Sequence, residues 1–157
     1  MRSPITQSDP FERGLETLNQ QLSDFLALLA EEAEALTSND PERLGAINQT
    51  RQDSSRHLSE LWRQLAEQFG LPSDTGLSTL RMRAFVGQPP SPNWLQLETL
   101  SQEAARRNKV NGRLIEEQMR RTQAALQILQ SASSRGLYGA DGRFNNTLNT
   151  NRSIDTA

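Results

Sequence analysis

Three segments of the sequence begin with a helix-capping residue that is followed directly by proline: Asp9-Pro10, Asp40-Pro41 and Ser91-Pro92. Aspartate and serine side chains accept hydrogen bonds from the free N–H groups of a first helical turn. Proline, which lacks an N–H, is favoured at the first helical position. Behind each pair, apolar residues recur at steps of three or four, the period of one helix face. The sequence therefore predicts three long helices.

The first two helices are predicted to form an antiparallel hairpin. The first spans about residues 10–37, has Glu12 in a capping-box-like position and ends at the Ser38-Asn39 break. The second begins at Pro41 and ends at Gly70, because glycine commonly terminates helices. A connection of only about three residues folds the second helix back against the first.

The hairpin carries two polar features. The apolar stripe of the second helix is polar in its middle, where Arg51 and Ser54 occupy the register. Near the end of the first helix, Glu31, Glu32 and Glu34 form an acidic stretch with no matching carboxylate–histidine set. This stretch is therefore interpreted as a solvated face.

Residues 73–92 are predicted to connect the hairpin to the last helix. They contain one short helix, whose apolar residues are Leu77, Leu80, Ala84 and Phe85. A helix of about three turns is unstable alone, so these residues must dock on the hairpin or on another surface. The last helix is predicted to run from Pro92 to about Ala132, and the sequence leaves open whether it bends at Gly112.

The composition supports an all-α fold. Apolar residues make up 34% and aromatic residues 5% of the chain, which suits long helices packed side by side. We predict an antiparallel helical hairpin plus a short helix and a long C-terminal helix, forming an elongated bundle followed by a flexible tail. The bundle domain is expected over residues 1–133. Residues 134–157, rich in Ser, Gly, Asn and Thr, are expected to be the polar tail.

Charge and cysteine content exclude several classes of function. A net charge of -2, from 17 basic and 19 acidic residues, opposes nucleic-acid binding. The absence of cysteine excludes disulfides and zinc–thiolate sites and is consistent with a cytoplasmic location. We also expect no signal peptide and no membrane insertion, because no apolar run approaches the ~18 residues of a membrane span.

No catalytic, metal or cofactor site is predicted. The single histidine, His57, is interpreted as a solvent-facing residue of the second helix, because one histidine rarely suffices for metal binding or catalysis. The glycines between Gly136 and Gly142 do not form a phosphate-binding loop. We therefore expect a protein that binds other proteins, without a cofactor, and that is not an enzyme.

Polar residues of the last helix have two interpretations each. Asn108 and Asn111 lie close to its apolar line, either as partly buried asparagines that fix helix register or as polar elements of a binding groove. A basic patch in the same region is either an ordinary charged face or a docking surface for an acidic partner. The patch consists of Arg106, Arg107, Lys109 and Arg113.

The pair Leu137-Tyr138 stands out within the polar tail. These residues either fold back onto the bundle or form a short recognition motif with a tyrosine anchor.

The sequence resembles the flagellar export chaperone FlgN family. The resemblance is carried by NKVNGRLIEEQMRRTQAALQILQ, residues 108–130, and by the following Leu137-Tyr138-Gly139-Ala140-Asp141-Gly142. The hairpin segment LLAEEAEALTSNDPERL and the closing Arg152-Ser153-Ile154 are also similar to the family. The resemblance covers roughly the whole chain.

The resemblance implies a cytoplasmic chaperone of the flagellar type III export system. Its clients would be the two hook-filament junction proteins, whose C-terminal helical segments it would bind to prevent premature assembly. It would then deliver them to the export gate, a contact that the family associates with the C-terminal tail and that here indicates Leu137 and Tyr138.

The residues of the last helix suggest how a client segment would be masked. A long helix with an unfilled apolar face can accept an amphipathic partner helix. The partner-binding residues are predicted to be the two asparagines and five apolar residues of this face. They are Asn108, Asn111, Leu114, Ile115, Met119, Leu126 and Leu129.

Two alternatives remain. A structural coiled-coil adaptor would use the same apolar face for self-association. A regulator that binds nucleic acid through the patch near Arg107 is the second, although the net charge opposes it.

Overall fold

The computed structural model describes residues 9–137, and over this range the chain is all-α, as predicted. Helix α1 spans Pro10–Ser38 and α2 spans Pro41–Glu67. The short helix α3 spans Leu77–Ala84, and α4 spans Pro92–Leu137. The chain separates into unit 1, Met1–Ile115, and unit 2, Glu116–Ala157.

The predicted capping residues begin the three long helices. The carboxylate of Asp9 accepts a hydrogen bond from the backbone N–H of Phe11 at 2.8 Å. In α2, the carboxylate of Asp40 accepts one from the N–H of Arg43 at 3.0 Å. The hydroxyl of Ser91 caps α4 in the same way, with an N–O distance of 3.2 Å. These bonds satisfy N–H groups that no helical carbonyl can reach.

Helix ends depart from the predictions by a few residues. Helix α2 ends at Glu67, and the chain then turns before Gly70, whose φ of 65° suits glycine. Helix α4 runs to Leu137, beyond the predicted end near Ala132, and is helical through Gly112. The hydroxyl of Ser134 donates to a carbonyl one turn back, so this serine is accommodated within the helix.

Contacts at both ends of α1 and α2 establish the antiparallel hairpin. Arg43 at the start of α2 pairs with Glu34 near the end of α1. At the other end, the backbone of Gly14 lies so close to Leu65 that an added Cβ would meet its Cδ2 at 2.6 Å. The reversal occurs at Asn39, which closes α1 in the left-handed conformation.

Helix α4 runs parallel to α1 within unit 1. Its contacts advance together along both helices: the carbonyl of Asn93 accepts a hydrogen bond from Asn19, and Arg107 donates to the carbonyl of Leu26. Three helices thus surround one core. Its aromatic centre consists of Phe11, Phe69, Phe85 and Trp94.

The short helix α3 docks on this core, as its apolar residues require. Leu80 and Phe85 are buried in the core cluster. The connector is also held by polar contacts, because the indole N–H of Trp62 donates to the carbonyl of Thr75 at 2.9 Å.

Asn93 joins the first turns of α1 and α4. The side-chain amide N–H of Asn93 donates to the carboxylate of the buried Glu12 at 2.9 Å. The backbone carbonyl of Asn93 accepts a hydrogen bond from the side-chain amide of Asn19. Glu12 was predicted to cap α1, but its carboxylate instead lies between helices, because its position falls on the buried side beside Phe11.

Within residues 9–137, no helix is long and apolar enough to cross a membrane.

Candidate partner-docking site

The structure divides the predicted partner-binding residues into an engaged group and an exposed group. In unit 1, Asn111 is 2% exposed, and Asn108 and Leu114 are half-buried. Ile115 is more accessible, at 37%. The remaining predicted residues belong to unit 2 and are described separately below.

Asn111 is held by α1. Its amide nitrogen donates to the carboxylate of Glu32 at 2.7 Å and to the carbonyl of Leu29 at 2.9 Å. Both amide protons are therefore used inside unit 1. This arrangement favours the interpretation in which the asparagine fixes the register of α4 against α1.

Asn108 and Glu32 are connected through Arg51 of α2. The guanidinium donates to the Glu32 carboxylate at 2.8 Å and to the Asn108 side-chain oxygen at 2.9 Å. A buried carboxylate is thus paired with a cation and also accepts from an amide, as a buried charge requires. The cluster of Glu32, Arg51, Asn108 and Asn111, here called the polar junction, links α1, α2 and α4.

The interpretation of the acidic stretch as a solvated face is wrong for Glu32. Glu31 and Glu34 are exposed, but Glu32 is only 5% exposed, because it lies three residues after the buried Leu29 on the same face of α1. A signal was present in the sequence: Arg51 interrupts the apolar stripe of α2, so a complementary charge was needed on a facing helix.

Two of the four residues of the basic patch are paired along their own helix. Arg106 and Arg107 both donate to Glu103, at 2.7–2.8 Å. These hydrogen bonds, first from Arg106 and then from Arg107, lower the pKa of the Glu103 carboxyl to about 2. Since Arg107 also donates to the carbonyl of Leu26, the geometry favours an ordinary charged helix face.

Unit 2 presents a different surface. Three of the predicted partner-binding residues are between 52% and 65% exposed here: Met119, Leu126 and Leu129. Ile128 is 70% exposed and was not predicted from the sequence, because it lies off the single apolar line through the other three residues. A group of large exposed apolar residues is uncommon on a protein surface and commonly marks an interaction site.

The part of α4 that contains Leu126, Ile128 and Leu129, but not Met119, is also free of charge. No acidic or basic residue occurs between Thr122 and Ser134, and every side chain in this segment is exposed. Across the whole chain, 23% of residues are charged, so an exposed helical segment of this length without charge is unusual for it. Such a surface suits contact with an apolar partner rather than with water or an ion.

The predicted export-gate residues lie at the limit of the structure. Leu137 is the last residue of α4, whereas Tyr138 lies outside the described residues. His57 is exposed on α2, as predicted. Among residues 9–137, no group of three or more His, Cys, Asp or Glu could hold a metal ion.

Comparison with known proteins agrees with the resemblance seen in the sequence. A family model described as FlgN protein matches residues 7–146. The Flagella synthesis protein FlgN of Proteus mirabilis is 37% identical over 73 residues, which are 46% of this chain and 50% of that protein. The chain thus spans about half the length of this curated relative. No solved structure matches the chain.

The family match includes the capped hairpin, the short helix and the whole of α4. It therefore extends over the polar junction and over the exposed segment of unit 2. The chain belongs to the FlgN family.

Proposed function

We propose that this protein is a cytoplasmic flagellar export chaperone that binds the C-terminal helical segments of the hook-filament junction proteins. The observation that carries the proposal is the exposed, charge-free apolar segment of α4 in a chain of the FlgN family. Such a segment can cover the apolar face of a client helix and thereby prevent its premature assembly. Binding needs no cofactor and no catalytic step.

The docking surface that we propose consists of Met119, Leu126 and Leu129 in unit 2. These side chains lie on one side of the helix and remain exposed. The asparagines of the polar junction are already bonded to α1 and α2, so we assign them a supporting role: they fix α4 in unit 1.

We further propose that residues 134–157 form a tail that delivers the client to the export gate, with Leu137 and Tyr138 in contact with it. Residues 1–133 would then be the chaperone domain. The family resemblance supports this assignment, and release of the client at the gate is favoured because a segment that folds on binding loses part of its affinity to ordering.

Titration calorimetry tests client binding. The chain is titrated with C-terminal peptides of both junction proteins, and a filament-subunit peptide is the control. We expect saturable binding to the junction peptides with a negative heat-capacity change, and no binding to the control. The double variant Met119→Glu/Leu126→Glu should lose this binding while its circular dichroism stays helical. Undiminished binding by the folded variant would reject the proposed surface.

A self-associating scaffold is the second candidate, because the same exposed face could pair with another copy. Light scattering separates the two functions. A monomer that binds junction peptides supports the chaperone, whereas a stable oligomer that fails to bind them supports the scaffold.

A further inference from the structure

The charge-free segment of α4 has apolar residues on more than one side. Leu126 and Leu129 form the face proposed above together with Met119, which lies about two turns before Leu126. This face is here called the leucine face. Ile128 follows Leu126 by two residues. Because successive residues turn by about 100° in an α-helix, Ile128 lies about 160° around the helix from Leu126.

Ile128 belongs to a second face made of small side chains. Ala124 and Ala132 lie one turn before and one turn after it, and together they line a surface groove. Among the residues whose side chains the structure describes, Gln127 and Ser131 also line this groove, and both are uncharged. This alanine–isoleucine face lets another backbone approach closely, with Ile128 as its one large apolar contact.

A single partner helix covers a stripe of roughly 100° on the helix that it packs against. The leucine face and the alanine–isoleucine face are too far apart around α4 for one such stripe. A helix that is apolar on opposite sides is stable when it is enclosed by neighbours on both.

We infer that the client element consists of two helical segments, which pack on opposite faces of the charge-free segment, residues 122–132. The inference rests on the proposed function and specifies the form of its client. The charges identify the chemistry of both segments: since Thr122 to Ser134 offers no ion pair, their contacting faces are apolar and uncharged.

Alanine substitution tests whether both faces take part in binding. Leu126→Ala and Ile128→Ala each remove a large apolar contact without disfavouring the helix. Calorimetry with an intact junction protein should show binding weakened about tenfold to a hundredfold by either substitution. Gln123→Ala, an exposed uncharged residue that does not line this groove and lies beside the leucine face, is the matched control and should change the affinity by less than about threefold.

Photo-crosslinking tests whether two client segments are present. A photoreactive amino acid at position 126 should crosslink to one client segment, and the same amino acid at position 128 should crosslink to another. Crosslinks from both positions to the same segment would overturn the inference. So would an unchanged affinity of Ile128→Ala when Leu126→Ala weakens binding.

Failure of the two-segment client can be distinguished from failure of the proposed function. If the wild-type chain does not bind the junction protein at all, the proposed function fails and the two-segment client fails with it. Another outcome is that the chain without client is an oligomer and that Ile128→Ala converts it to a monomer. In that case a second copy covers the alanine–isoleucine face, and the inference alone is overturned.

Discussion

The carboxylate of Glu32 shows how one residue can determine where three helices meet. Removing a charge from water is unfavourable, and the attraction to Arg51 offsets this only when the remaining acceptor sites are also bonded. The Asn111 amide supplies one such bond, and the Arg51 guanidinium supplies another. A register that separated Glu32 from Arg51 and Asn111 would leave its carboxylate buried without these partners and is therefore disfavoured.

Arg51→Met tests this interpretation. The substitution keeps much of the side-chain volume but leaves Glu32 buried without its cation, so we expect unfolding free energy to fall by about 2–3 kcal/mol. Arg43→Met is the matched control, because Arg43 pairs with Glu34 on the exposed surface and should contribute less than about 1 kcal/mol. Urea unfolding measures both. Equal losses would mean that burial of Glu32 does not matter.

At this scale, the sequence predicts which residues cap helices but not which charges are buried. Asp9 and Asp40 act locally, so their roles follow from the few residues after them. Glu32 meets partners that are distant in sequence, Arg51 and Asn111, and its burial depends on the packing of α4. That packing could not be derived from the pattern of α1 alone.

At the scale of the elements, α1 and α2 approach each other closely at Gly14. A methyl group there would overlap the Cδ2 atom of Leu65, which is 1% exposed and enclosed by the core. Glycine is otherwise unfavourable inside a helix by about 1 kcal/mol. Its use at this position is explained by the distance between the two helices.

A pair of glycine-to-alanine substitutions separates helix propensity from packing. Gly14→Ala should destabilise the protein by about 1–3 kcal/mol, because the overlap with Leu65 exceeds the gain in propensity. Gly45→Ala in α2 meets nothing within 4 Å and should stabilise by about 0.5–1 kcal/mol. Thermal unfolding followed by circular dichroism measures both. A stabilised Gly14→Ala variant would contradict the close packing.

The elements were more predictable than the docking site. Helix number, type and order follow from caps and a strong three-to-four period. Met119, Leu126 and Leu129 were also found by this period, since they continue one apolar line. Ile128 was not, because the period indicates one buried face per helix, and a helix with two exposed apolar faces departs from that pattern.

At the scale of the whole molecule, the two units differ in what stabilises them. Unit 1 has a core of large apolar residues from all four helices. In the described part of unit 2, the side chains from Thr122 to Ser134 are exposed, and the hydroxyls of Thr122, Ser131 and Ser134 donate to carbonyls of the same helix. Helix formation without tertiary packing is only marginally favourable.

Hydrogen exchange should therefore divide α4 in two. Amides between Trp94 and Asn111 should be protected to near the global stability of unit 1, whereas amides between Thr122 and Ser134 should exchange many times faster. Peptide-resolved mass spectrometry measures this directly. Addition of a junction protein should slow exchange in the second segment. Equal protection of both segments in the free protein would contradict the assignment of stability to unit 1.

Both tryptophans of the chain, Trp62 and Trp94, lie in unit 1, and Trp94 is fully buried against Phe85. Tryptophan fluorescence, excited selectively so that Tyr138 does not contribute, is therefore an optical reporter of unit 1 alone, while far-ultraviolet ellipticity sums over every helical turn. On heating, the ellipticity should begin to fall before the emission spectrum shifts. A single fluorescence melting curve would consequently overlook the loss of the segment on which client capture depends.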